Sequence, residues 1–214
     1  MNKRAIIIVN GYEINYNYYK SKYTSDDYII CADGAINHCI KMGIIPDLWI
    51  GDFDSCNFDD ILLHYPEYNR CEILRLNPVK DETDTQKACM VAIERGYSDI
   101  FIWCANGKRA DHMLSTIHLL EFLHKNQVNG TIEDSMNLIT IFDDEIYIKK
   151  QRNYFSLIPL DNNVLVNDTV GLKYSLHNKI LPREISLGVS NEIINDTAFV
   201  KISNGLMLAI QSDD

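Results

Sequence analysis

Asp47-Leu-Trp-Ile-Gly-Asp-Phe-Asp-Ser55 is the stretch from which the organisation of the chain can be read. Leu48-Trp49-Ile50 is a short apolar run of strand type, and it opens into a glycine and an acidic loop, Gly51-Asp52-Phe53-Asp54-Ser55. With 52–54 extended, side-chain alternation puts both carboxylates on one side and Phe53 on the other, their Cα atoms about 6–7 Å apart. Like charges that close raise each other's pKa until something neutralises them. A divalent cation is the simplest neutraliser, and an all-oxygen donor set favours Mg²⁺, Mn²⁺ or Ca²⁺ over zinc. A solvated acidic loop is the alternative reading, because charge runs are commonly surface.

The strand-then-loop unit repeats on both sides. Upstream, Ala5–Val9 is a continuous apolar run, the pattern of a strand buried on both faces in a parallel sheet. The tyrosine-rich segment from Tyr12 to Tyr23 has poor helix propensity and is left open between helix and loop. Tyr28–Cys31 reads as a second strand, followed by Ala32-Asp33-Gly34-Ala35 and a helix carrying Ile36, Cys39 and Ile40 that Gly43 and Pro46 stop. Downstream, Cys71–Leu76 is a strand, and Thr83-Asp84 caps a helix running towards Gly96 with Ala88, Val91, Ala92 and Tyr97 as its stripe. Asp99–Cys104 is a strand leading through Asn106-Gly107-Lys108-Arg109 into a helix from Asp111 to about Lys125, with Met113, Leu114, Ile117, Leu120 and Leu123 expected inward. Thr131–Glu133 closes this half. Alternating strand, loop and helix predicts an α/β layered domain with a mostly parallel sheet over residues 1–136.

Beyond about Asn137 the helical period disappears. Leu138–Phe142, Glu145–Lys149, Tyr154–Pro159, Val164–Val166, Val170–Tyr174, Phe199–Ser203 and Leu206–Ile210 read as short strands. Asn204-Gly205 between two apolar runs predicts a two-residue hairpin. Residues 137–214 are therefore expected to form an antiparallel β-sandwich, small enough to need docking on another surface.

Bulk composition limits the function classes. With 214 residues, 46% apolar and 23% charged, the chain can bury a core and is not of disordered type. A net charge of −10 and no broad basic face argue against nucleic acid as partner. Met1-Asn-Lys-Arg before Ala5-Ile-Ile-Ile-Val9 superficially resembles a signal peptide, yet the run is too short, and Asn10 ends it without a cleavage site. No stretch has the length of a membrane span. Six cysteines without a CxxC pair, mostly within apolar patterns, fit a cytoplasmic protein with reduced thiols.

Four loops share one topological property. Asp33, the pair Asp52 and Asp54, Asp84, and Arg109 with Asp111 each follow the carboxyl end of an expected strand or begin the next helix, the edge where open α/β sheets bind ligands. Any single aspartate there is better explained as a cap or turn residue; four converging loops are not. Asp52, Asp54 and Asp84 are the candidate metal ligands, while Lys87 and Arg109 offer charge to a polyphosphate. The GxxxxGK[ST] and GxGxxG fingerprints and the kinase HRD and DFG motifs are absent.

These blocks resemble the thiamine pyrophosphokinase (thiamine diphosphokinase) family. The resemblance is carried by Ala32-Asp33-Gly34-Ala35, by Pro46 to Ser55, by Thr83-Asp84 with Lys87, and by Gly107-Lys108-Arg109-Ala110-Asp111-His112. Phe155 to Leu160, Gly171-Leu-Lys-Tyr174 and Ser186 to Glu192 resemble the family's β-domain in the same order. Two positions depart from the pattern: Cys104 and Lys108 stand where the loop before Arg109 is expected to be glycine-rich, and Tyr174 stands where tryptophan is common. The resemblance implies pyrophosphate transfer from ATP to the thiamine hydroxyl, releasing AMP. It implies Mg²⁺ on Asp52, Asp54 and Asp84, and ATP contacts from Asp33, Lys87, Arg109 and His112. Asp111, or less directly His112, would orient the hydroxyl or take its proton. Ser190, Asn191 and Tyr174 would hold thiamine, at the subunit interface of a homodimer. Two competing readings use the same residues: a metal-dependent phosphohydrolase with a water nucleophile, and a non-catalytic nucleotide or thiamine sensor whose phosphate loop has changed.

Overall fold

A computed structural model describes residues 4–79, 81–107 and 109–214, so Lys108 lies outside the described residues. The chain divides into two units, Met1–Ser135 and Met136–Asp214.

The first unit is built on strands β1 (Arg4–Ile8), β2 (Tyr28–Ala32), β3 (Leu48–Gly51), β4 (Glu72–Arg75), β5 (Asp99–Trp103) and β6 (Asn129–Glu133). They lie in the order β4-β3-β2-β1-β5-β6, and every neighbouring pair is parallel. The chain runs outward from β1 in one direction to β4 and then resumes on its other side at β5, so the order switches between β1 and β5. A crevice opens beyond the carboxyl ends at such a switch. Ala5, Ile6, Ile7 and Ile8 are all fully buried, as a strand covered on both faces requires.

The α-helices of this unit among the described residues are α1 (Tyr16–Lys22), α2 (Ile36–Met42), α3 (Phe58–His64), α4 (Asp84–Glu94) and α5 (Ala110–Lys125). Gly43 ends α2 at φ +67°, and the Thr83 hydroxyl caps α4 by accepting from the Gln86 amide at 3.2 Å. The tyrosine-rich segment resolves into α1, fixed by specific contacts rather than propensity. Asn15 caps it, and Tyr19 is fully buried against Trp103 with ring centroids 5.0 Å apart. α3, not among the expected elements, starts at the Asn57 cap and packs Phe58, Ile61 and Leu62, spaced i, i+3, i+4, against the core without burying any of them fully. On α5 the inward stripe is Thr116, Leu119, Leu120 and Leu123, spaced i, i+3, i+4, i+7, and the expected Leu114 is exposed because it falls off that arc.

The second unit has two antiparallel groups of strands. β7 (Asn137–Phe142), β13 (Met207–Ser212) and β9 (Tyr154–Pro159) form one, with β13 central. β11 (Lys179–Pro182), β10 (Asn163–Val170), β12 (Thr197–Ser203) and β8 (Glu145–Lys149) form the other. Phe155, Leu157, Met207 and Ala209 of the first share one core with Val164, Val166, Val200 and Ile202 of the second, as in a sandwich.

Two strand expectations fail here. Val164–Val166 and Val170–Tyr174 are not separate strands: β10 runs unbroken to Val170 with a register shift between Val166 and Asp168, and Gly171 then turns the chain at φ +80°. Asn204-Gly205 does not make a hairpin either, because β12 pairs with β8 and β10 while β13 pairs with β7 and β9. The turn carries the chain from one sheet to the other, held where the Leu206 amide donates to Asp161 Oδ2 at 2.8 Å.

Candidate active site

Beyond the switch between β1 and β5 lies a cavity of about 530 Å³. Its wall takes Val9, Asn10 and Gly11 from the end of β1, Ala32 and Asp33 from β2, Asp54 and Ser55 from the loop after β3, and Thr83, Asp84 and Thr85 from the start of α4. Ala105, Gly107, Arg109, His112 and Thr116 complete it from the β5–α5 connection. Every acidic strand-end block is represented. Asn10, Ser55, Thr85 and Thr116 were not singled out by residue type; only their neighbours in the chain pointed to them.

Asp33, Asp52 and Asp54 bring one carboxylate oxygen each within 4.8 Å of the others. Among the described residues they are the one such cluster, and Asp84 stands outside it on the same cavity wall. Asp33 is buried at φ +47°, where its Oδ2 accepts the Ser55 hydroxyl and its Oδ1 is buried with no hydrogen-bond donor. Residues 52–54 are not extended, so strand alternation is not what groups the carboxylates. Phe53 is left-handed at φ +63°, and the Asp54 amide folds back to Asp52 Oδ1 at 3.2 Å. A tight turn therefore groups the carboxylates, while Phe53 drops to the opposite side and is buried. Asp52 is the main cause that raises the Asp54 carboxyl above its ordinary range, with burial next and Asp33 and Asp84 adding to it.

The cationic side is arranged differently. Arg109 grips Asp111 with two hydrogen bonds, Nε to Oδ1 at 3.1 Å and Nη2 to Oδ2 at 2.6 Å. The guanidinium, and then the His112 amide at 2.9 Å, pull the Asp111 carboxyl down to about 2. Arg109 and His112 line the cavity. Lys87, one turn into α4, donates from Nζ to Glu82 Oε1 at 2.9 Å and is not part of the wall.

The floor is the seam between the loops after β1 and β5. The amides of Val9, Gly11 and Tyr12 donate in register to the carbonyls of Trp103, Cys104 and Asn106 at 3.0, 3.0 and 2.5 Å. Cys104 is fully buried at φ +58°. This left-handed conformation suits a glycine, so the cysteine occupies a glycine-type backbone position.

In the second unit, Asn191 is buried, and its side-chain amide is committed to main chain. Nδ2 donates to the Tyr174 carbonyl at 2.8 Å, and Oδ1 accepts from the amides of Tyr174 and Glu192 at 3.0 and 2.8 Å. These bonds fix the backbone of Tyr174, which is 62% exposed and carries Lys173 Nζ 5.7 Å from its ring centroid. Ser190 is exposed at φ +58°, its amide donating to the Ser156 hydroxyl at 3.0 Å.

Two family models match the chain: "Thiamin pyrophosphokinase, catalytic domain" over residues 19–132 and "Thiamin pyrophosphokinase, vitamin B1 binding domain" over residues 144–207. The sequence is 32% identical over 185 residues to the thiamine pyrophosphokinase of Bacillus subtilis, covering 82% of each chain. The crystal structure of a thiamine pyrophosphokinase from Bacillus subtilis superposes with a TM-score of 0.87 at 27% identity, covering 99% of this chain and 100% of that one. One from Geobacillus thermodenitrificans gives 0.86 at 24%, covering 99% and 98%.

Proposed function

The chain belongs to the thiamin pyrophosphokinase family, and from that membership we propose which of its residues carry out the reaction. That reaction is transfer of pyrophosphate from ATP to the hydroxyl of thiamine, giving thiamine diphosphate and AMP. The thiamine oxygen attacks the β-phosphorus, and charge develops on the oxygen that leaves with AMP. Chemistry of this kind asks a protein mainly for positioning and for charge placed where it develops.

The observation that carries the assignment is the trio of grouped carboxylates, two of which, Asp33 and Asp54, line the cavity, with its buried, unpartnered Asp33 oxygen. Its donors are all hard oxygens, which fits Mg²⁺. Asp52, Asp54 and Asp33 would hold that ion, with Asp84 as a further acidic group of the cavity wall. When bound, Mg²⁺ neutralises phosphate charge and the charge that develops on AMP.

The remaining roles fall to groups of the chain. The fork of Arg109 matches phosphate oxygens and is set in its plane by Asp111. Paired with Arg109 and with its carboxyl drawn down to about 2, Asp111 stays ionised at neutral pH and orients the thiamine hydroxyl or accepts its proton. His112 faces the same cavity and contacts ATP, as Lys87 does after exchanging Glu82 for a phosphate. The aromatic face of Tyr174 suits the cationic ring of thiamine, Ser190 supplies polar contact, and Asn191 holds the Tyr174 backbone. Residues 1–136 thus serve the nucleotide and metal, and 137–214 serve thiamine.

Exposed apolar side chains on the second unit, among them Val170, Tyr174, Leu187, Val189 and Ile194, support a homodimer with thiamine bound at the subunit interface. No helix among the described residues is long and apolar enough to cross a membrane, and six free thiols, five of them buried, are in keeping with the reducing cytoplasm. The test is release of AMP when thiamine, ATP and Mg²⁺ are mixed with the protein. ADP or phosphate formed without thiamine would point instead to a hydrolase.

A further inference from the structure

The three grouped carboxylates depend on two left-handed residues: Asp33 itself at φ +47°, and Phe53 between Asp52 and Asp54 at φ +63°. Side chains other than glycine keep such conformations only where their surroundings hold them. Both positions are held by one residue. Trp49 is fully buried in β3, and its indole Nε1 donates to the carbonyl of Asp33 at 2.9 Å. Its ring meets Phe53 edge-on, with centroids 5.0 Å apart at 82°, and stacks on Phe58 at 4.8 Å. Phe53 and Phe58 are themselves 4.8 Å apart, and the Arg75 guanidinium covers both, 4.9 and 4.5 Å from their centroids. Arg75 is exposed, so the stack runs from solvent, through two phenyl rings, to the indole beneath Asp33.

We propose that Trp49 is a positioning residue for the acidic trio. Its N–H sets the Asp33 backbone, its ring sets the turn between Asp52 and Asp54, and Arg75 closes the stack from outside. This rests on reading Asp33, Asp52 and Asp54 as the divalent-cation site. The consequence is specific. A tryptophan needed only for packing could be replaced by phenylalanine with some loss of stability and none of cation affinity. A tryptophan that aims carboxylates cannot, because the lost N–H frees the Asp33 carbonyl from its lateral anchor while the Ile36 amide still binds it.

The experiment is calorimetric titration of the full-length protein with Mn²⁺ in the absence of nucleotide, beside thermal midpoints. Wild type, Trp49→Phe, Arg75→Gln and Asp52→Asn are compared. Trp49→Phe is expected to bind Mn²⁺ about tenfold more weakly, the lower end of what losing a ligand-orienting hydrogen bond costs. Arg75→Gln is expected to weaken it about two- to fivefold, the scale of an exposed cation–π contact. Unchanged Mn²⁺ affinity in Trp49→Phe overturns the proposal, whatever happens to its midpoint. If Trp49→Phe does not fold, unchanged affinity in the surface variant Arg75→Gln overturns it. Asp52→Asn separates the two levels: Mn²⁺ binding that is absent in wild type, or intact in Asp52→Asn, removes the cation reading itself and the proposal with it.

Discussion

A Cβ on Gly51 would lie 2.9 Å from the Cα of Asp33, so the ends of β2 and β3 touch backbone to side-chain position with no room between them. The contact keeps Asp33 beside the Asp52–Asp54 turn. Because the obstacle is backbone, it cannot rotate away. Gly51→Ala should cost about 1–3 kcal/mol, as overpacking does. It should also abolish the rise in thermal midpoint that Mg²⁺ is expected to give the wild-type protein. Scanning fluorimetry with and without MgCl₂ reads both effects.

Asp54→Asn should separate function from folding. The folded-state pKa of Asp54 is raised, chiefly by Asp52. A raised carboxyl favours the folded state only below its unfolded pKa, and that gain is lost as pH rises through the folded value; at neutral pH the charge works against folding. The metal-free midpoint of Asp54→Asn at pH 7 should therefore equal or exceed that of wild type. Turnover should fall about a hundredfold or more, the scale of losing one electrostatic stabiliser. A midpoint lower by more than about 4 °C would mark the carboxylate as structural.

Arg4 and Asp27 set an acid limit on stability. Burial pushes the Asp27 carboxyl up, but hydrogen bonds from Arg4 and the Thr24 amide more than offset it, and its pKa lies below the ordinary value. A depressed carboxyl contributes stability above its unfolded pKa of about 3.9, and that contribution is lost as pH falls through the folded value. Asp27→Asn should cost about 2 kcal/mol at pH 7, the scale of hydrogen bonds to a charged group. The gap between variant and wild type should close below about pH 4. Urea titrations at pH 7 and pH 3.5 test this.

Cys104 should tolerate glycine and reject a β-branched residue. At φ +58° a side chain costs about 1–2 kcal/mol, which roughly balances the burial that Cys104→Gly gives up. That variant should stay within about 1 kcal/mol of wild type in chemical denaturation. Cys104→Val should lose about 2–3 kcal/mol, because a branched Cβ is an outlier in this region of backbone space.

The parallel half of the chain was legible because its signals are local. A buried run such as Ala5–Ile8, the glycine stop at Gly43 and the Thr83 cap each act within one element. Asp33 stood out less than its partners in the sequence because its proximity to Asp52 comes from strand pairing, Ala32 opposite Ile50, between segments far apart in the chain. The turn at Phe53 is not legible in the sequence because tertiary contacts with Trp49 and Phe58 accompany its φ, and no neighbouring residue announces them. Asn204-Gly205 carried correct turn chemistry, but the same dipeptide serves a hairpin or a passage between sheets. Sheet membership of β12 and β13 is settled by the whole core.

Three loops at one edge of the sheet each begin with, or contain, a left-handed residue that bears a side chain: Asp33, Phe53 and Cys104. Their conformational cost, about 1–2 kcal/mol apiece, is concentrated where the carboxylates and the loop seam meet. Among the described residues the opposite edge has one such position, Gln127 before β6 at φ +58°, and is tied by the Arg95–Glu72 pair, joined at 2.9 and 2.6 Å. Fluctuation should be unequal along the strands. Amides of 33–35, 53–55 and 104–106 should exchange with deuterium through small local openings, while those of β1 and β2 wait for global unfolding. Occupancy of the cavity would then register as slowed exchange at that edge, so time-resolved deuterium uptake reads binding there without any turnover.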